Sequence, residues 1–159
     1  MSNVTKLTAV PNSSIIRIER IFDAPRERVF RLFTTKEKVQ KWWNPWGVAR
    51  VEEFDPRVGG SWRIGGGDGE EAVFFGVFHD VTFPERLVQT SEFANLPEPG
   101  HVVLDRYEFT VLPNGKTQMV LTEAFLSVED RDAAVDSGME PGVVQQYLNL
   151  DALLMEGEA

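Results

Sequence analysis

Few side chains in this sequence are of a type and spacing to do chemistry. Cysteine is absent, which removes thiol nucleophiles, thiolate metal ligands and disulfides together. Of the two histidines, His79 lies in a β-patterned stretch with Asp80 on the opposite face, and His101 follows Pro97, Pro99 and Gly100 in a loop-type segment. A metal would need distant carboxylates to converge on one of them, so no metal site is expected. Nothing places a serine beside either histidine, and a Ser-His-acid arrangement has no support. Gly65-Gly66-Gly67-Asp68-Gly69 resembles a phosphate cradle in composition only. It lacks the Lys-Ser/Thr of a P-loop and is followed by strand signal where a dinucleotide site needs a helix. It reads as a hairpin connection, and no cofactor is expected.

The polar residues of interest are those on apolar faces. Arg20 alternates in phase with Ile16, Ile18 and Phe22, and Glu123 with Met119, Leu121 and Phe125. A charge on such a face is costly unless paired. Tyr107 and Gln146 are further polar groups on otherwise apolar stretches. No acid–base pair with a tuned pKa can be named from these positions, so binding is favoured over catalysis. Aromatic residues are plentiful, with eleven Phe, four Trp and two Tyr. Phe22, Phe30 and Phe54 are expected in the core. Trp42, Trp43 and Trp46 crowd a short segment around Pro45 and Gly47. Three indoles, each with an N–H needing a partner, are hard to bury in one turn.

The elements that must position these residues follow from period and punctuation. Residues 1–13 show no period and contain Pro11, which predicts a mobile tail ahead of one domain over 14–159. Ile15 to Phe22 reads as a strand. After Pro25, Val29, Phe30, Leu32 and Phe33 form a helical stripe, and a second short helix covers Lys36 to Trp43. Strand signals then succeed one another: Val48–Phe54, Ser61–Ile64, Val73–Phe83, Leu87–Phe93, Val102–Leu112 and Thr117–Leu126. Asn114-Gly115 marks a hairpin between the last two. The short links suit antiparallel neighbours. Ser127-Val128-Glu129-Asp130 resembles a capping box. Beyond Gly138 and Pro141, Val143, Gln146, Tyr147, Leu150, Leu153 and Leu154 line one face of a long helix, which must lie on the sheet.

Totals exclude several classes. A chain of 159 residues with 42% hydrophobic and 26% charged residues is an ordinary single globular domain. A net charge of −9 with scattered basic residues argues against nucleic acid. Apolar runs are far short of the ~20 residues that span a bilayer, and the N-terminus lacks a signal-peptide pattern, so a cytoplasmic location off the membrane is expected.

The order of a strand, two short helices, six strands and a long helix resembles the helix-grip fold of the START-like (SRPBCC) superfamily. Local motifs resemble the subfamily named for the activator of heat-shock protein 90 ATPase. They are Arg20-Ile21-Phe22-Asp23-Ala24-Pro25, Trp42-Trp43, Phe54-Asp55-Pro56-Arg57-Val58-Gly59-Gly60-Ser61-Trp62, Gly76-Val77-Phe78, Pro84-Glu85-Arg86-Leu87-Val88 and Ser137-Gly138-Met139. The resemblance runs from about Ile15 to Leu154. It implies an α+β fold in which a curved antiparallel sheet of about seven strands grips the C-terminal helix around a cavity. It also implies that the strands carrying Arg20 and Glu123 are antiparallel neighbours, so these two residues are expected to pair beneath the helix.

On that fold, Phe33, Trp62, Phe78, Tyr107 and Leu121, with Met139, Val143, Gln146 and Tyr147 from the helix, are the expected ligand-contacting wall. Trp42 and Trp46, ahead of Trp43, are placed at its mouth or on a partner-binding surface. The alternative is that these side chains meet and fill the space. The leading function is binding of a small apolar molecule, aromatic or polyketide-like. Other readings are a co-chaperone-like interaction module and a cyclase or hydrolase using the same cavity. A chaperone partner ranks below a small molecule, because the named activators carry a further N-terminal domain for which this sequence has no room. A homodimer is left open.

Overall fold

The computed structural model describes residues 3–66 and 72–156. The glycine-rich connection over 67–69 therefore lies outside the described residues. Eight strands form one antiparallel sheet: β1 (Lys6–Ala9), β2 (Ile15–Phe22), β3 (Arg50–Phe54), β4 (Ser61–Gly65), β5 (Val73–Thr82), β6 (Arg86–Phe93), β7 (Val103–Leu112) and β8 (Lys116–Phe125). Their order across the sheet is β1-β2-β8-β7-β6-β5-β4-β3. Four α-helices complete the described residues: α1 (Arg26–Thr34), α2 (Lys36–Trp42), α3 (Val128–Asp136) and α4 (Met139–Met155). This is the α+β helix-grip fold, with one strand more than expected.

The extra strand is a correction to the reading of residues 1–13 as a tail. Lys6 to Ala9 pair with Glu19 to Ile16, and Leu7 packs against the core. Four residues are too few to show a period, and it is the open edge of β2 that gives them hydrogen-bond partners. Asn12 turns the chain at φ 58°, and the Val10 N–H donates to the Ile15 carbonyl at 3.0 Å.

Alternation decides what each strand buries. In β2, Ile16, Ile18, Arg20 and Phe22 face inward, and in β8 Thr117, Met119 and Leu121 do the same. Irregularities at Val51/Glu53 in β3 and Phe78/Asp80 in β5 insert an extra residue, a device that bends a sheet and raises its twist. The β7–β8 hairpin turns at Pro113–Gly115, with Asn114 at φ 67° and Gly115 at φ 73°. Asn and Gly are the residues that tolerate such angles.

Helices α1, α2 and α4 cover the inner face. The α1 stripe of Val29, Phe30, Leu32 and Phe33 is buried, as are Tyr147, Leu150, Leu153 and Leu154 of α4. The Ser127 hydroxyl caps α3 by accepting from the Asp130 N–H at 3.0 Å. The Asp130 carboxylate does not close the box; it meets His101 Nδ1 at 3.0 Å, while Glu98 meets Nε2 at 3.0 Å. Asp130 and Glu98 raise the affinity of this histidine for a proton.

Arg20 and Glu123 do not pair. In the β2–β8 register Arg20 stands opposite Met119, and Glu123 opposite Ile16. Four residues of strand between them amount to about 13 Å at the usual rise. Arg20 instead makes a two-pronged ion pair with Asp151 of α4, at 3.0 and 2.6 Å, and donates to the Ile21 carbonyl at 3.0 Å. Asp151 is visible in sequence only as a polar residue on the helix, and the crossing of α4 over β2 is what brings it to Arg20. Breaking this pair from the acid side leaves a guanidinium buried at 1% side-chain exposure. Asp151→Ala is expected to cost about 3 kcal/mol in urea unfolding. The double change Arg20→Met/Asp151→Leu should recover most of it; equal losses in both would show that packing, not charge, governs the site.

Candidate functional site

The inward faces of the central strands meet α1 and α2 around a small void. Trp62 and Ile64 come from β4, Phe78 from β5, Leu87 and Gln89 from β6 and Tyr107 from β7, while Phe33, Val39 and Trp42 close it from the helices. Its volume is about 30 Å³. That is room for one or two waters, an order of magnitude below the ~300 Å³ at which small-molecule pockets begin. The ligand-sized cavity implied by the resemblance is not present among the described residues; the alternative, that these side chains meet and fill the space, describes this packing. Aromatic rings fill it: Phe33 sits 5.0 Å from Trp42, 5.1 Å from Tyr107 and 5.5 Å from Phe109 between ring centres.

The buried indoles find partners for their N–H groups, as they must in an apolar setting. Trp42 donates to the Leu32 carbonyl at 2.7 Å, and Trp62 to the Thr90 carbonyl at 3.1 Å. Gly76 makes the second bond possible. A Cβ at that position would stand 1.9 Å from the Thr90 oxygen and 2.8 Å from the Trp62 nitrogen.

Beside the void lies the least expected feature of the interior. Asp105 of β7 and Glu123 of β8 are directly paired in register, and Gln89 of β6 flanks Asp105 on the other side. Asp105 is 4% exposed. The two carboxyl groups lie close enough to perturb one another, with Ser91 as a polar neighbour of Asp105. Asp105 Oδ1 and Glu123 Oε1 are buried with no hydrogen-bond partner. Burial raises Asp105 well above the carboxylate range, and the charge of Glu123 adds to the shift. Burial likewise pushes Glu123 up to about 7. Two acids in contact titrate as a unit, and near neutral pH this one retains a proton. Burial also raises the Tyr107 and Tyr147 hydroxyls, with the acid pair adding to the effect, so both tyrosines remain neutral donors.

On the outer surface, a hollow of about 520 Å³ runs along the α2–β3 connection and is lined by Gln40, Asn44, Trp46, Val48 and Arg50. The Asn44 side chain accepts from the Trp46 N–H at 3.1 Å and donates to the Gly66 carbonyl, which holds the turn with the Trp46 indole 74% exposed.

The model of one protein family, described as activator of Hsp90 ATPase homolog 1-like protein, matches residues 23–155. The chain belongs to this family. Among solved structures it is similar to protein Ms6760 from Mycobacterium smegmatis, at 26% identity and a TM-score of 0.83, covering 95% of this chain and 96% of that one. A protein from Arthrobacter aurescens is similar at 24% identity and a TM-score of 0.82, over 95% and 91% of the two chains. Protein CV1439 from Chromobacterium violaceum is similar at 26% and 0.71, over 88% and 96%. No curated protein matches the sequence. The fold and family thus stand together, and the family is one of ligand-binding or co-chaperone-like proteins. Among the described residues, no helix is long and apolar enough to cross a membrane.

Within this family member, Phe33, Trp42, Trp62, Phe78 and Tyr107 line the void. Leu121 and Tyr147 are buried in the surrounding core, and Met139 and Val143 pack against it. Gln146 reaches α2, donating to the Trp43 carbonyl at 2.5 Å. Trp46 points away, and Trp43, ranked behind it, lines the void instead. Asp105, Gln89 and Ser91 were missed. The available signal was the phase of Asp105 with Tyr107 and Phe109, the same argument that drew attention to Glu123.

The acid pair generates a pH dependence. Folded, it retains a proton that unfolded Asp and Glu release near pH 4, so protonation favours the folded state. This stability is fully present below about pH 4 and is lost as the pH rises toward 7. Denaturant unfolding should therefore show stability falling between pH 5 and 7.5, and Glu123→Gln should flatten that fall by on the order of 2 kcal/mol. His101 contributes a slope of the same sign in both proteins. Parallel profiles would show that the acids are not buried as described.

Proposed function

We propose that the protein binds a small, mainly apolar, ring-bearing molecule at the void between the sheet and helices α1 and α2. The observation that carries this reading is the unpartnered carboxyl pair beside an aromatic-lined void. A core selected for stability alone gains nothing from a buried Asp105 beside a half-buried Glu123 with an enclosed carboxyl oxygen, since well-packed apolar residues serve as well or better. Buried polar atoms without partners call for a role, and strongly shifted acids inside a fold are common at functional sites.

Filling the site requires it to expand. Helices α2 and α4 are tied there by side-chain bonds from Gln146 to the Trp43 carbonyl and from Asn149 to the Trp42 carbonyl, the latter at 3.4 Å. Parting these helices moves Trp42 and Trp43 outward and joins the void to solvent without disturbing the strand ladders.

A second reading, a protein-interaction module, is favoured by the exposure of Trp46 at 74% and Val48 at 72% on one turn. It predicts that purified Hsp90 ATPase responds to the protein and that Trp46→Ala abolishes the response.

The primary reading is tested by thermal unfolding against a library of aromatic and polyketide-like compounds. A ligand at ~100 times its Kd adds about 2.7 kcal/mol, a rise in Tm of roughly 5–10 °C for a chain of this size. The rise should disappear in Trp62→Ala and Tyr107→Ala. A broad library that leaves the Tm of folded protein unmoved would overturn the reading.

A further inference from the structure

We infer that the Asp105–Glu123 pair is the recognition site for an organic ammonium group, so that the ligand is a primary or secondary amine carried on an apolar ring. The inference rests on the ligand-binding reading and specifies its chemistry.

The geometry supports it in three respects. First, the pair offers two buried acceptor oxygens, Asp105 Oδ1 and Glu123 Oε1, that no protein group satisfies. An ammonium carries up to three donors and is matched to such a site; an anion would be repelled, and an alcohol has one donor for two acceptors. Second, the groups around the pair supply no competing cation. Gln89, Ser91, Tyr107 and Tyr147 are neutral, and Arg20, the buried cation of β2, is neutralised by Asp151. Third, the pair neighbours the polar part of the void's lining. Gln89 lies directly opposite Asp105, and Tyr107 follows it on the same face; both also line the void. The remaining lining is aromatic and aliphatic, suited to the body of the ligand and able to hold a cation against ring faces. The net charge of −9 favours the approach of a cation from solution.

Charge accounting gives the binding a signature. Free, the pair retains a proton; with a cation in place, the second acid no longer faces an unscreened neighbour and releases it. Binding of an amine near pH 6 should therefore expel up to one proton, whereas a neutral analogue should expel none.

The test is calorimetric titration at pH 6 in two buffers of different ionisation enthalpy. The probes are matched sets on benzyl, phenethyl and indolylethyl bodies, each ending in an amine, an alcohol or a carboxylate. The expected result is an amine preferred at least tenfold over the alcohol of the same body, with proton release and no carboxylate binding. Asp105→Asn and Glu123→Gln should lose 10- to 100-fold in amine affinity, the range for a charged hydrogen bond, and little in alcohol affinity. Comparable binding of amine and alcohol, or amine binding without proton release, overturns the ammonium inference and leaves the ligand-binding reading standing. That result needs no variant to fold. Binding of none of the nine probes overturns the ammonium inference, and the broad-library result decides the ligand-binding reading.

Discussion

A broad antiparallel sheet has two faces, and one of them must be dried by something other than the sheet. In this chain the task falls to α4 with the short pair α1 and α2, and every other feature of the interior follows from how they fit. Strand alternation delivers Ile16, Ile18, Phe22, Met119 and Leu121 to that face together with Arg20, Asp105 and Glu123. The helices cannot select among them. What α4 brings down onto the sheet therefore decides whether a buried charge is matched or left.

The two ends of the interior meet that constraint differently. Toward the C-terminal end of α4, Asp151 reaches Arg20 and the charges cancel in a tight two-pronged contact. Across the sheet, Asp105 and Glu123 have only each other and Ser91, and their remaining acceptors stay open. Proton retention is the protein's own means of limiting the cost, since it keeps one of the two carboxyl groups neutral. A stabilising pair and an unsatisfied pair on one sheet face are physically distinct, and only the second leaves capacity for another molecule.

Packing around the void tells the same story from the apolar side. Trp42 and Trp62 are anchored through their indole N–H groups and serve as fixed walls. Trp43, half-buried and in contact with Phe74 at 5.5 Å between ring centres, sits where α2 meets α4. Rings meet rings around the void and leave about 30 Å³ of it. Family membership and similarity to solved structures establish the fold and its general class, while the acid pair is a property of particular side chains in this chain.

Much was legible in the sequence because it depends on local rules. Asn114-Gly115 marks its turn through the angles those residues accept, Ser127 caps its helix, and alternation identifies the inward residues of each strand. Family motifs supplied the strand order, and with it the fold. Relations among residues distant in sequence were not legible. Leu7 and its strand exist because β2 offers an edge, and Trp46 faces solvent because Asn44 holds its turn. Arg20 takes Asp151 in place of Glu123 because register separates the first pair from contact and helix crossing creates the second. The sequence by itself determined which residues face inward, since that is a matter of period. The tertiary structure alone decided which of them touch, because register and helix placement are set by the packing of the whole face.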